Sequence, residues 1–243
     1  MDAADSAIKR LLWWICLAVA PAILVGLELF HPANFTASPG MYEFLSRAEQ
    51  RDSHYMALGY FGPYWWFHLH MIQTPLVGLV AIGLWTTVAP IGAGDSGAAV
   101  ACAWLARLSI FVFAIYYTVL DATGGIGLGR YILTAQEMAA DGRLTPDQLQ
   151  GVIRLLNTVW LDPYVGGVGS FVSLTGSYAV LAASIFIAAA LSLSGRAGWI
   201  TALLLLGFGW ELQTAHAAPH GPIAFSLLIL ATVSMWLRSR RRP

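Results

Sequence analysis

The chain has 243 residues, 58% hydrophobic and 11% charged, with no net charge, whereas a soluble domain carries about 25% charged residues. Such an inventory cannot clothe a water-soluble surface, so residues 1–243 read as one integral membrane domain whose first partner is the lipid bilayer. The basic residues are one lysine, Lys9, and twelve arginines, with no tract suited to nucleic acid. A retinal Schiff base needs an intramembrane lysine, and Lys9 precedes the first apolar stretch.

Six apolar segments are candidates to cross the bilayer: 11–30, 61–89, 97–120, 165–193, 197–213 and 221–237. The last two are close to the lower limit of about 17 residues. The predicted fold is all-α: a polytopic transmembrane helical bundle of about six spans, with two long outer loops, 31–60 and 121–164, containing interfacial helices. A four-span core with a re-entrant final hairpin is the alternative. Segment 11–30 follows a short basic start, Lys9 and Arg10, and is long enough to be a retained anchor helix. Cys16 and Cys102 lie within apolar runs and read as small hydrophobes.

Along the chain, Glu28 and His31 stand three residues apart at the end of the first span, a spacing that shares a helix face. Asn34-Phe35-Thr36 matches a glycosylation sequon, and His54 lies in the first outer loop. His68 and His70 open the second span. Two residues apart on a helix they diverge by about 200°, and His70 shares its face with Gln73 and Thr74, which favours it for a pocket. Arg107 lies within the third span, and Asp121 ends it. The following glycines, Gly124, Gly125, Gly127 and Gly129, match neither a dinucleotide fingerprint nor a P-loop and suit close packing or a helix end. Thr145-Pro146-Asp147-Gln148 predicts a helix start with a capping box. The apolar positions that follow, Leu149, Val152, Ile153, Leu156, Val159 and Trp160, predict a surface-lying helix, either a lid or an interfacial element. Aromatic clusters at Tyr60 to Phe67, Trp160, Tyr164, Trp199 and Trp210 read as interfacial belts.

Orientation follows from basic residues near the span ends. With the N-terminus inside, the short inner segments hold Lys9, Arg10, Arg196, Arg238, Arg240, Arg241 and Arg242, against Arg47, Arg51, Arg130, Arg143 and Arg154 in the long outer loops. The expected location is the cell membrane, multi-pass, with both termini cytoplasmic.

In that topology all six histidines fall on the outer side, and so do the three carboxylates at apolar segments, Glu28, Asp121 and Glu211. Ionisable groups within spans are expensive and usually face a partner or cavity. Imidazole and carboxylate groups converging at one depth are what a metal site requires. The candidate ligands are His70, His216, His220, His31, Glu28 and His68, with Asp121 and Glu211 as candidate catalytic acids or bases. Zinc, copper, iron or haem would suit such a set. Metal-free acid–base work and a purely structural role are the other readings of the same residues. His216-Ala-Ala-Pro-His220 matches HxxxH, but Pro219 and Pro222 predict that His216 ends the fifth span and His220 starts the sixth across a tight hairpin.

An early-span histidine, an aspartate on the next span and HxxxH near the end partly resemble the membrane zinc hydrolases that include alkaline ceramidases and adiponectin-receptor-like proteins. The resemblance implies a zinc that activates water for amide hydrolysis in a lipid, held by His70 or His68 with His216 and His220, and Asp121 as the associated acid. The chain departs from that pattern in having six spans where the family has seven. It also has Trp66 or Tyr64 where the family has a serine four residues before its first histidine.

The functional expectation is therefore a membrane metal- or haem-binding protein acting as an enzyme on a hydrophobic or lipid-like small molecule at an outward-facing pocket. The alternative is a non-enzymatic accessory subunit or transporter of a larger membrane complex or oligomer.

Overall fold

The computed structural model describes residues 3–32, 40–46 and 62–240. His54, the sequon at Asn34, and Arg47, Arg51, Arg241 and Arg242 lie outside the described residues. All regular structure among the described residues is helical: α1 (Ala3–Trp14), α2 (Ala20–Leu29), α3 (Met41–Leu45), α4 (Pro63–Val88), α5 (Gly97–Leu120), α6 (Leu128–Ala140), α7 (Pro146–Trp160), α8 (Phe171–Leu193), α9 (Trp199–Thr214) and α10 (His220–Arg240). Two π-helical stretches, Ile15–Val19 and Asp121–Gly127, join α1 to α2 and α5 to α6 without a break.

Five helical segments are long and apolar enough to cross a membrane: Ala7–Leu29, Pro63–Val88, Gly97–Ala140, Phe171–Leu193 and His220–Arg240. The sixth, α9, has 16 residues, yet it too runs from one face of the bundle to the other. Gly198 at its start lies against the Arg238 guanidinium near the end of α10, while His216, just beyond its other end, meets His31. The end of α1 and the last turns of α10 stand at one face, since Trp14 packs edge-on against Trp236, with ring centroids 5.8 Å apart. The bundle thus has an arginine face, carrying Arg196, Arg238 and Arg240, and a histidine face at the opposite end.

Local sequence explains both irregular stretches. Pro21, in the first turn of α2, lacks an amide proton, and its ring would crowd the Leu17 carbonyl of a tight α-helix; the wide turn Ile15–Val19 directly precedes it. The second stretch corrects the expectation that the third span ends at Asp121. Helix continues through Asp121–Gly127 into α6, giving 44 unbroken residues. Each glycine disfavours helix by about 1 kcal/mol, which made the segment look like a terminus, but here packing against α4 prevails. A methyl on Gly125 would overlap the His70 ring, and one on Gly129 would stand 3.0 Å from the Phe67 amide nitrogen.

The capping box at α7 forms as expected: the Gln148 amide donates to Thr145 Oγ1 at 3.3 Å, and the Thr145 amide donates to Gln148 Oε1 at 2.8 Å. Ile153 and Leu156 on the buried face of α7 join Met41, Phe44 and Leu45 of α3 and Ile132 of α6 in a second small core on the histidine face. Asn157 ties α7 to α3, accepting from the Tyr42 amide and donating to Glu43 Oε2, both at 2.9 Å. Arg107, buried within the main bundle, caps α4 by donating to the Val88 carbonyl at 2.9 Å.

Candidate metal centre

Three helix ends deliver three imidazoles to one point. α2 stops at Leu29, and Pro32 biases the residue before it away from helix, so His31 turns in over the end of the bundle, fully buried. His70 lies on the second turn of α4, also buried. α9 stops at Thr214, Ala215 is extended, and His216 follows in the link to α10.

The nitrogens that His31, His70 and His216 can offer to an ion all lie within 4.8 Å of one another. His216 Nε2 stands 3.2 Å from His31 Nε2. A tetrahedral ion with nitrogens at about 2.0–2.1 Å holds them about 3.3 Å apart, so this pair is already at ligand spacing. The other ring nitrogens of two members are assigned: His31 Nδ1 meets the Pro32 carbonyl at 2.8 Å and His70 Nδ1 meets the Trp66 carbonyl at 2.7 Å. An Nδ1–H donated to a backbone carbonyl fixes the tautomer and leaves Nε2 as the electron-pair donor, the usual outer arrangement of a ligating histidine. Burial pushes the His216 imidazole down to about 4, and burial together with His216 and His70 pushes His31 well below its ordinary value. Both are therefore neutral near pH 7, the form that binds metal.

Acidic and polar groups surround the trio. Glu28 is fully buried, and neither carboxylate oxygen has a hydrogen-bond partner among the described residues. Asp121 is 2% exposed, and its Oδ2 lies 3.0 Å from Thr74 Oγ1, which also reaches the His70 carbonyl at 2.7 Å. Gln73 Nε2 donates to Tyr117 Oη at 2.6 Å. Trp66 covers the trio, its centroid 4.5 Å from His70 and 5.2 Å from His31, and donates through Nε1 to the Gly124 carbonyl of the π-helical stretch at 3.0 Å.

Two cavities meet at His216. The smaller, about 20 Å³ between His70, Asp121, His216, Trp66 and Trp160, has room for about one water molecule. The larger, about 210 Å³, lies between α5, α8 and the end of α9, with Tyr116, Tyr117, Val172, Leu212 and Gln213 among its walls. Leu120, Val168 and His216 line both.

Of the six residues expected as ligands, the structure brings together His31, His70 and His216, with Glu28 one helical turn from His31. His68 points elsewhere: its Nδ1 meets the Tyr64 carbonyl at 2.9 Å and its ring lies on Tyr64. His220 starts α10 and pairs with Glu211, Nδ1 to Oε2 at 2.7 Å, so the two histidines of the HxxxH pattern enter different partnerships. Tyr117 and Trp66 were not expected at the site, although Tyr117 stands four residues before Asp121, a same-face spacing. His31 in the trio, with His220 outside it, departs from the ligand set implied by the resemblance to membrane zinc hydrolases. Comparison of the chain with protein-family models, curated proteins and solved structures gives no match in any of the three.

Proposed function

We propose that this membrane-embedded chain is a metalloenzyme that holds one divalent transition-metal ion on His31, His70 and His216 and hydrolyses a hydrophobic substrate. The observation that carries the reading is the convergence of three imidazole nitrogens within 4.8 Å from three separate segments. Glu28 adds to it, because an ionised carboxylate buried without a partner costs several kcal/mol, and a dication beside three neutral imidazoles offsets the charge of both Glu28 and Asp121. The small cavity beside His70 and His216, about one water in size, has room for a water next to such an ion but not for a haem. Three nitrogen ligands and a fourth open position are the pattern of catalytic zinc.

A bound ion of this kind supplies Lewis acidity and lowers the pKa of a water. The chain's own residues do the rest. Asp121, beside the small cavity and held by Thr74, handles the proton; Glu211, paired with His220, has no such place. Trp66 and Trp160 keep bulk water out, and the 210 Å³ chamber beyond His216 takes the apolar part of the substrate. The arginine face, near which Trp14 of α1 packs against Trp236 of α10, is assigned to the cytoplasm from its basic residues, which turns the histidine face outward.

The test is turnover of a fluorogenic acyl ester or acyl amide amphiphile by the metal-loaded protein in mild detergent. Asp121→Asn should retain the metal and lower turnover by at least about 100-fold, the low end for a general acid–base group. A metal-loaded protein that cleaves neither ester nor amide contradicts the hydrolytic assignment and leaves the ion site standing.

A further inference from the structure

On the arginine face, α9 and α10 leave a groove of about 650 Å³. Leu204, Leu230, Val233 and Leu237 form its apolar walls, with Trp199 and Arg238 at the end. The shortness of α9 leaves room for it: 16 residues rise about 24 Å against a hydrocarbon thickness of about 30 Å, while α10 has 21 residues.

Two positive poles meet at the end of this groove. The Arg238 guanidinium lies 3.3 Å from where a β-carbon on Gly198 would stand, and it reaches the Gly195 carbonyl only at 3.5 Å. Gly198 is the N-cap of α9 and offers no side chain to the first amides of that helix, so the positive end of the helix dipole faces the same place. Among the described residues no carboxylate lines the groove. The nearby Arg196 is committed to Asp95 at 2.7 Å and to the Pro90 carbonyl at 3.2 Å. Like poles set side by side at the mouth of an apolar groove call for an anion that carries hydrocarbon with it. Trp199, 73% exposed, is the residue type that sits at headgroup depth, and Arg240, Arg241 and Arg242 continue the positive charge along the sequence.

We propose that this groove binds one anionic phospholipid, its phosphate against Arg238 and the start of α9 and one acyl chain along Leu204, Leu230 and Leu237. The site is independent of the histidine centre at the other end of the bundle.

The full-length protein, purified in mild detergent and exchanged into bilayer discs of phosphatidylcholine alone or with about one-quarter phosphatidylglycerol, tests this by native mass spectrometry of the lipid that stays bound. The expected result is a retained phosphatidylglycerol in the mixed discs that weakens about fivefold in Arg238→Gln, the share of one arginine facing anionic lipid. Arg238→Lys should keep most of the effect, and Leu230→Trp, which fills the groove, should lose the lipid while leaving metal content unchanged. Equal retention of the two lipids, or phosphatidylglycerol retention indifferent to Arg238→Gln and Leu230→Trp, overturns the proposal. So does displacement of the lipid by inorganic phosphate at a concentration that leaves the bilayer intact, because the groove would then contribute nothing.

Discussion

Gly124 and Gly125 are neighbours in the π-helical stretch, yet the structure assigns them opposite responses to alanine. At Gly124 the added methyl would stand 3.4 Å from Trp160 Cζ3 and 3.8 Å from Leu120 Cδ1, ordinary contact distances. Replacing glycine by alanine within a helix also removes an entropic cost of about 0.5–1 kcal/mol. Gly124→Ala should therefore be neutral or slightly stabilising. At Gly125 the methyl would overlap the His70 ring, and that ring has nowhere to turn. Its Nδ1 is held by the Trp66 carbonyl, and Trp66 and His31 lie against it at centroid distances of 4.5 and 5.3 Å. Either α4 and the π-helical stretch move apart or His70 leaves its rotamer, an overpacking cost of about 1–3 kcal/mol. Displacing His70 as a proposed ligand in this way resembles loss of an outer partner, which lowers metal affinity about 10–100-fold. The assay is competitive metal titration against a chelator, with thermal unfolding of the same samples in parallel. Wild-type affinity in Gly125→Ala would refute the packing argument, as would equal losses in the two alanine variants.

Three further predictions follow from the geometry. His68→Ala should leave metal content unchanged and stability within about 0.5 kcal/mol, as for other surface changes, because His68 lies against Tyr64 and Phe67, meets the Tyr64 carbonyl and stands outside the trio; metal analysis and unfolding check it. Asn157→Ala removes the two hydrogen bonds that Asn157 makes to α3 and should cost about 1–3 kcal/mol, read as faster amide exchange in α7 while α5 and α8 stay protected. The third concerns pH. The Asp95 carboxyl, outside the spans, is held below its ordinary value by hydrogen bonds from Arg196 and from the Gly92 amide. A depressed folded value means the stabilisation is present above the unfolded value of about 3.9 and is lost as pH falls through the folded one. Asp95→Asn should therefore flatten the acid limb of the stability profile below about pH 4 and leave neutral metal content unchanged; an identical acid limb in the two proteins would contradict the assignment.

The bundle was legible because burial in lipid leaves a strong signature, long apolar runs with basic residues at their ends. The α7 start was equally readable, since a capping box is a local pattern that needs no tertiary partner. The continuation past Asp121 was not, because the preference of Gly124 and Gly125 for a terminus is local whereas the ring of His70 that fills the space beside them comes from another helix. At the site, the shared depth of His31, His70 and His216 could be inferred from their place at span ends. The divergence of about 200° between His68 and His70 favours His70 from spacing alone, whereas the separation of His216 from His220 depends on the partner Glu211, which spacing does not specify. Glu28 drew attention as an acid at the end of an apolar run, but its lack of a hydrogen-bond partner is a property of packing.

Metal analysis of protein purified without chelators or a histidine tag, with the six single variants His31→Ala, His70→Ala, His216→Ala, His68→Ala, His220→Ala and Glu28→Gln alongside, tests the three-histidine centre. The expected result is one equivalent of a divalent transition metal in the wild type, lost in the first three variants, kept in His68→Ala and His220→Ala, and more weakly held in Glu28→Gln. A folded wild-type protein that takes up no metal even when it is supplied, or a metal that survives loss of all three of His31, His70 and His216, would contradict it.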